Sequence, residues 1–256
     1  MGTGLEDYLS WKEPALSKVK GEQMAEGAEI KRALVIAAHP DDSEFACAGT
    51  AVLWSRDNWE FYYLVCSDGS KGTDDLQMGR EQLAAVRQEE QRAAAAVLGV
   101  KDVFFLNYQD GELSYERGLL GEIVRYIRRL RPHAVFTHEP VHIVRNMYLN
   151  HPDHRTIGTL ALDAVYPIAR NRPSFPEQAE EGLEPHRAKE VYLWSSNEPN
   201  FSVDITEVVD IKFQALMRHR SQFANIDAER MKAWRKRWAD EEGRFLEHFR
   251  HIELAF

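Results

Sequence analysis

Cysteine is scarce in this chain, which has only Cys47 and Cys66 among its 256 residues. Neither belongs to a CxxC or CxxxC pair, so the sequence does not predict a metal site made of thiolates. Both cysteines lie in apolar surroundings, where a free thiol packs as a small hydrophobic side chain. We therefore expect two buried free thiols, and any metal ligands must come from other side chains.

Positive charge is also in short supply, with 32 Lys and Arg residues against 41 Asp and Glu residues. This balance argues against a nucleic-acid backbone or an anionic membrane surface as the main partner. No run approaches the ~20 apolar residues of a membrane helix, and no segment resembles a signal peptide. We expect a soluble, cytoplasmic protein that acts on a small molecule, and the sequence leaves open whether it forms a homo-oligomer.

Short apolar runs alternate with helical patterns through most of the sequence. The runs have the length of parallel strands that are buried on both faces, and they lie at 33–38, 61–66, 103–106, 134–137 and 191–194. The helical patterns lie at 45–56, 79–98 and 116–130. This alternation predicts an α/β fold, namely a single-domain, Rossmann-like, mostly parallel doubly wound sheet flanked by helices, with a C-terminal helical segment.

The composition divides the chain into three parts. Residues 1–30 are polar and charged and predict an N-terminal extension, and residues 31–225 form the predicted α/β domain. Residues 226–256 predict a C-terminal helical extension, because Trp234 and Trp238 are one turn apart and give it an aromatic face. We expect this face to pack on the domain or on a partner subunit.

A short motif of histidine and aspartate directly follows the first apolar run. His-Pro-Asp-Asp occupies residues 39–42, and its aspartates open a helix, where the helix dipole favours carboxylates. His39 and Asp42 are three residues apart and can reach one point, while Asp41 faces another side of that point. Alone, this motif is also compatible with aspartates that only cap a helix.

A second motif, His-Pro-Asp-His, occupies residues 151–154. His151 and His154 are also three residues apart, so one can complete a three-ligand site while the other faces a substrate. Imidazole and carboxylate groups are normal zinc ligands. Two such clusters, each in a loop at a predicted strand end, indicate the site of a metal-assisted hydrolase.

These motifs resemble those of a known protein family. Residues 39–44 (HPDDSE), followed by the sequence Ala-Gly-Thr at 48–50, resemble the HPDDxE…GGT signature of the LmbE-like (PIG-L) N-acetylglucosaminyl deacetylases. Residues 151–154 resemble the second metal motif of that family. Further similar segments lie at 67–69, 72–73, 87–90, 108–111 and 219–222. The resemblance covers roughly residues 31–225.

The resemblance implies a zinc-dependent hydrolase that removes an N-acetyl group from a glucosamine-containing small molecule. It implies that His39, Asp42 and His154 bind one divalent metal, for which Zn2+ is expected and Fe2+, Mn2+ or Co2+ are alternatives. It also implies that Asp41 is the general base that takes a proton from the attacking water.

By the same resemblance, His151 stabilises the oxyanion. Asp153 is implied to orient His151 and to keep it charged, since a carboxylate partner raises the pKa of a histidine. Arg87 and Asp110 are implied to contact the sugar or its substituent. Whether Asp41 or His151 protonates the leaving amine stays open.

Three other functions stay open at this point. The first is an amidase that cleaves a larger acyl group or a thiol conjugate, a choice that the long connections at 138–150 and 170–188 would set. The second is a non-catalytic sugar- or nucleotide-binding protein, which is disfavoured because His-Pro-Asp-Asp stands where G-x-G-x-x-G would be needed. The third is a phosphoesterase, which usually gathers more carboxylates around two metals. A part for Tyr148 in catalysis is also left open.

Overall fold

The computed structural model describes residues 29–75, 77–145, 148–223, 226 and 228–255, so the predicted N-terminal extension lies almost entirely outside the described residues. Within them, the strands are β1 (Lys31–Ala37), β2 (Trp59–Ser67), β3 (Asp102–Tyr108), β4 (Ala134–His138), β5 (Val144–Arg145), β6 (Tyr148–Leu149), β7 (Glu190–Trp194), β8 (Phe201–Asp204) and β9 (Leu246–Glu253). The helices are α1 (Asp42–Ser55), α2 (Arg80–Leu98), α3 (Arg117–Leu130), α4 (Pro152–Val165), α5 (Pro176–Glu180), α6 (Val209–Leu216), α7 (Arg220–Phe223) and α8 (Ala228–Trp238). None of these helices is long and apolar enough to cross a membrane.

Seven of the strands form one sheet, in the order β3-β2-β1-β4-β7-β9-β8. β1 pairs in parallel with β2 and β4, β2 pairs in parallel with β3, and β4 with β7. β9 runs antiparallel to both of its neighbours, β7 and β8. The mostly parallel α/β sheet that the alternating pattern predicts is therefore confirmed.

The central strand β1 is apolar at each of its inner positions because both faces of the sheet are covered. Leu34 and Ile36 face a core cluster that includes residues of α3 and α4. Ala33 and Val35 point the other way, into a cluster that includes Trp54 of α1 and residues of α2, β8 and β9. Side chains alternate across a strand, so a strand between two layers of helices needs apolar residues on both sides.

The structure differs from the prediction in the C-terminal region. α8 is helical, and the rings of Trp234 and Trp238 lie 5.9 and 5.8 Å from the ring of Phe45, so its aromatic face packs on the domain. Residues 246–253 form strand β9, and the helix predicted for them is wrong. One inward-facing residue of β9 is Glu247, and a carboxylate at a buried position hides the alternation that would have predicted a strand.

Candidate metal centre and active site

The two histidine motifs meet at the carboxyl edge of the parallel strands. The first motif, at 39–42, follows β1, and the second, at 151–154, begins α4. The ends of two further strands reach the same edge, β4 with His138 and β3 with the loop that carries Asp110. Ligands of open α/β sheets bind at this edge, and the predicted proximity of the two motifs is found.

The side chains of His39, Asp42 and His154 lie close together. His39 Nδ1 lies 3.2 Å from His154 Nε2, and His154 Nε2 lies 3.1 Å from Asp42 Oδ1. The other carboxylate oxygen, Asp42 Oδ2, lies 3.5 Å from His39 Nδ1. Ligands at zinc bond lengths in tetrahedral geometry lie roughly 3.3 Å from one another. The spacing of the three side chains that the resemblance implies as ligands is thus compatible with one divalent metal ion, and His151 or His138 lies close enough to His154 to join such a group.

The protonation of His39 is fixed by two carboxylates on the far side of its ring. Its Nε2 lies 3.2 Å from Asp110 Oδ1 and 3.2 Å from Asp153 Oδ2. Burial acts to lower the pKa of His39, but Asp110, Asp153 and Asp42 together raise it well above its usual value. The carboxylates therefore hold the proton on Nε2, and Nδ1, which faces His154 and Asp42, is the nitrogen that would lose its proton to bind a metal ion. A cluster with this excess of negative charge suits a divalent cation.

His138 is a residue of the site that the sequence did not indicate. Trp194 Nε1–H donates to His138 Nδ1 at 3.0 Å, so the proton of a neutral ring lies on Nε2. Two groups lie 3.3 Å from Nε2, the Ala38 N–H and Asp42 Oδ2, and only the Asp42 oxygen can accept this proton. Burial, followed by the charge of His154, lowers the pKa of His138 to about 4, so this ring is neutral. His138 thus donates to Asp42, and with Asp42 and His154 it forms one of the groups that are close enough together to hold a metal ion. Its position at the end of the β4 run was the signal available in the sequence.

Asp41 has an unusual backbone and a buried basic partner. Its φ of 96° lies in the left-handed region, which is uncommon for a residue other than glycine. Arg87 donates to Asp41 Oδ2 at 3.1 Å, and also to the carbonyls of Pro40 at 2.6 Å and Gly69 at 3.0 Å. Burial raises the pKa of Asp41 to about 6 although Arg87 opposes the rise. A carboxylate with this pKa can exchange protons near neutral pH.

The structure does not pair Asp153 with the His151 side chain as expected. Asp153 lies in the first turn of α4 and points inward, where its carboxylate accepts the Gly111 N–H at 2.8 Å and faces His39. His151 Nδ1 instead accepts the backbone N–H of Asp153 at 3.2 Å. Burial and the nearby His39 and His154 lower the pKa of His151, opposite to the expected direction. The imidazole edge of His151 remains exposed at the mouth of the site.

Arg87 and Asp110, which the resemblance placed on the sugar, are both engaged inside the protein. Arg87 is 4 % exposed and Asp110 is 7 % exposed. Asp110 Oδ1 faces His39, while its Oδ2 accepts the Lys71 N–H at 3.0 Å. A contact of either residue with substrate stays a prediction, and their observed partners are Asp41 and His39.

A cavity of about 670 Å3 adjoins Asp41, Asp42, His151 and His154. The rest of the lining is partly polar, with His138, Ser195, Lys212, Glu247 and His248. Its apolar wall consists of Phe45, Ala46, Leu149, Trp194, Ile205, Trp238, Phe245 and Leu246. The side chain of Tyr148, whose part in catalysis was left open, lies outside what the structure describes. The arrangement places the Asp41 carboxylate and a candidate His/Asp metal cluster at the edge of a substrate-sized cavity.

A His/Asp metal cluster at the carboxyl edge of a mostly parallel sheet is typical of a metal-dependent hydrolase. The sequence model of the PIG-L family, described as GlcNAc-PI de-N-acetylase, matches residues 34–165. This range includes both motifs and about half of the chain. The chain belongs to this family, and it is a deacetylase.

Several relatives are similar over most of the chain. A diacetylchitobiose deacetylase of Thermococcus kodakarensis is 36% identical over 196 residues, which cover 76% of this chain and 71% of the relative. A probable N-acetyl-alpha-D-glucosaminyl L-malate deacetylase 2 of Bacillus anthracis is 31% identical over 205 residues, or 76% of this chain and 82% of the relative. The structure of the N,N'-diacetylchitobiose deacetylase of Pyrococcus horikoshii in complex with its inhibitor MPG superposes with a TM-score of 0.78 and 31% identity, covering 87% of this chain and 84% of that one.

Proposed function

We propose that this protein removes the N-acetyl group from a glucosamine-containing small molecule, using one divalent metal held by His39, Asp42 and His154. The observation that carries the proposal is the proximity of these three side chains, whose nitrogen and oxygen atoms lie 3.1 to 3.5 Å apart, with Asp41 beside them. The names of the relatives support the substrate class, since those proteins act on acetylated chitobiose and on a glucosaminyl malate. Zinc fits the donor set best, while Fe2+, Mn2+ and Co2+ accept the same donors.

Each residue around the proposed metal site has a separate role in amide hydrolysis. A divalent ion at this site would polarise the acetamide carbonyl and make a water more acidic. Asp41, which is buried and held by Arg87, accepts the proton of that water. His151 carries its proton on Nε2, because Nδ1 accepts the Asp153 N–H, so Nε2–H is free to donate to the developing oxyanion. Because the pKa of His151 is lowered, we assign protonation of the leaving amine to Asp41.

The proposal is tested by measuring free primary amine released from a panel of N-acetylglucosamine conjugates by zinc-loaded protein. The panel contains N-acetylglucosamine, diacetylchitobiose and the malate and inositol glycosides of N-acetylglucosamine. We expect release by the wild type and none by Asp41→Ala, which should still bind one metal ion because its three ligands are unchanged. Amine release by Asp41→Ala at the wild-type rate would exclude the proposed base.

A second candidate is cleavage of a longer N-acyl chain, and the apolar wall of the cavity favours it. Phe45, Ala46 and Ile205 line this wall within the same cavity as the metal ligands. N-acetyl-, N-butyryl- and N-octanoyl-glucosamine distinguish the two candidates. Two results together would favour the longer acyl group over acetyl. In the wild type, kcat/KM would rise with the length of the acyl chain, and in Ala46→Phe the kcat/KM for N-octanoyl-glucosamine would be lower than in the wild type.

A further inference from the structure

The left-handed backbone at Asp41 needs support from its surroundings. A residue other than glycine at a φ of 96° is strained, and it stays there only where neighbouring groups hold it. Asp41 directly precedes α1, and its carbonyl accepts the N–H groups of Glu44 at 3.0 Å and Phe45 at 3.1 Å. The support for its own N–H must come from outside the helix.

That support comes from Gln91 of α2. Gln91 Oε1 accepts the Asp41 N–H at 2.9 Å, and Gln91 Nε2 donates to Glu44 Oε1 at 2.8 Å. Gln91 and Glu44 are both 0 % exposed. Because both side chains are fully buried, the Glu44 carboxylate fixes the orientation of the Gln91 amide: it binds the donor end and leaves the acceptor end facing Asp41.

Glu44 is held in turn by a residue from much later in the chain. Its second oxygen, Oε2, lies 3.2 Å from Nε2 of His219, which is also fully buried. Two residues on, the Ser221 N–H and hydroxyl both donate to the Glu90 carboxylate of α2, at 2.7 and 2.6 Å. Residues 219–222 thus contact both Glu44 of α1 and Glu90 of α2, and so link α2 to the helix of the first motif.

α2 therefore fixes Asp41 at two points. Arg87 holds the carboxylate, and Gln91, one turn further along the same face of α2, holds the backbone N–H. If the N–H lost its acceptor, the backbone could relax to a right-handed conformation, and the carboxylate would turn away from Arg87. The ligand Asp42 has a separate anchor, because its Oδ2 accepts the His39 N–H at 2.8 Å.

We propose that Gln91 and Glu44 are positioning residues, which hold the strained backbone of Asp41 so that its carboxylate meets the reacting water. The catalytic part of this inference rests on the proposed function, in which Asp41 is the base. It differs from a purely structural role, because loss of the Gln91 bond should displace Asp41 and spare the metal.

The first experiment replaces Gln91 with leucine. We expect kcat to fall by about 10²-fold, the size of effect that a displaced catalytic group produces, while KM and the bound metal stay unchanged. The crystal structure of Gln91→Leu should show Asp41 outside the left-handed region and its carboxylate away from Arg87. Gln88→Leu is the matched control, since Gln88 lies on the same helix but bonds to Asn107 at the surface.

The second experiment exchanges the two side chains. Gln91→Glu alone places two carboxylates face to face and should lose activity. The double variant Gln91→Glu/Glu44→Gln restores every bond, because the new carboxylate at position 91 accepts the Asp41 N–H. The new amide at position 44 donates to that carboxylate and still accepts from His219. We expect kcat to recover most of the way to the wild-type value.

Two results would overturn the inference. One is a Gln91→Leu structure in which Asp41 is unmoved, and the other is a folded, metal-loaded exchange variant that is no more active than Gln91→Glu. If the wild type releases no amine from any N-acyl glucosamine, the proposed function fails, but the variant structures still decide whether Gln91 positions Asp41.

Discussion

At the scale of single residues, the site depends on hydrogen bonds that fix which nitrogen of each histidine carries a proton. Asp110 and Asp153 hold the Nε2 proton of His39, so Nδ1 is the nitrogen that faces the candidate metal site. In His138, Nδ1 accepts the Trp194 N–H, so the proton of the ring lies on Nε2 and is donated to Asp42. Metal ligands with such fixed orientations bind more tightly than free side chains do.

The first prediction concerns His138. Replacing it with phenylalanine fills the same space but removes the donor to Asp42, so we expect metal affinity to fall ~10- to 100-fold. Competition with a chelator measures the change, and His138→Gln, which keeps an N–H near the same position, should lose less. Equal affinity of His138→Phe and wild type would show that Asp42 needs no such donor.

The second prediction separates two roles for Arg87. Because Arg87 is bound to Asp41, Arg87→Met should lower kcat by about 10- to 100-fold, the effect of losing a hydrogen bond to a charged group, and leave KM nearly unchanged. Steady-state kinetics measures both. Arg92→Met is the control, since Arg92 lies on the exposed side of α2. A raised KM with normal kcat would return Arg87 to the sugar-binding role that the family resemblance implied.

At the scale of elements, the helix that carries the first motif is not continuous. Its backbone is non-helical at Cys47, and a carboxylate from β9 caps the part that follows. Glu247 accepts the N–H groups of Gly49 at 2.9 Å and Thr50 at 2.7 Å, and it pairs with the buried Lys212 at 2.7 Å. A side chain at position 49 would lie 2.5 Å from Ile205, so glycine is required there.

The third prediction tests this cap. Glu247→Leu leaves Lys212 buried without its partner and two N–H groups without an acceptor, so we expect the free energy of unfolding to fall by roughly 3–5 kcal/mol. Urea unfolding followed by circular dichroism gives the value. Glu184→Gln, at an exposed ion pair with Arg172, should change stability by less than about 1 kcal/mol. A similar small loss in Glu247→Leu would exclude a supporting role for β9.

The elements that the sequence predicted are those with a simple period. The runs at 61–66, 103–106, 134–137 and 191–194 lie in strands, and the run at 33–38 lies in β1 up to Ala37, because a strand covered on both faces must be apolar throughout. β9 was not predictable in this way, since Glu247 occupies a buried position whose partners come from α1 and α6. Its identity as a strand depends on contacts that the local pattern does not contain.

The local sequence pattern was also insufficient to predict every residue of the site. The spacing within each motif was enough to predict a metal cluster, because His39 and Asp42 are three residues apart, as are His151 and His154. The choice of His154 over His151 as a ligand came from the family resemblance. Gln91 and His138 were missed because their importance depends on which helix face and which strand end adjoin the first motif. Only the fold supplies that information.

At the scale of the whole molecule, the edge of the sheet opposite the active site holds a second group of titratable side chains. Glu190 is the first residue of β7. Its Oε1 lies 3.0 Å from Nε2 of His133, the residue before β4, and its Oε2 lies 3.3 Å from Nε2 of His251 in β9. The bond from His251, with those of Tyr192 and His133, lowers the pKa of Glu190 to about 2 although burial opposes this. The Glu190 carboxylate thus links β7 to β9 and to the residue that precedes β4.

The fourth prediction follows from this lowered pKa. The unfolded chain binds a proton at Glu190 more readily than the folded one, so its stabilising contribution is complete above the ordinary glutamate pKa and is lost as pH falls toward 2. We expect Glu190→Gln to lower the free energy of unfolding by about 2 kcal/mol at pH 6, and by less than half of that at pH 3. Chemical unfolding at both pH values measures the two differences, and a pH-independent difference would contradict the assignment.

The position of β9 ties the chemistry of this protein to the order in which its strands are synthesised. β9 is the last strand of the described chain, yet it lies inside the sheet between β7 and β8, and it delivers Glu247 to the helix of the first motif. A nascent chain that has emerged only as far as α8 already contains both histidine motifs, but Glu247, which caps the helix after the first motif, is still in the ribosome. A prematurely terminated polypeptide would therefore carry both motifs without the carboxylate that supports the helix of the first one.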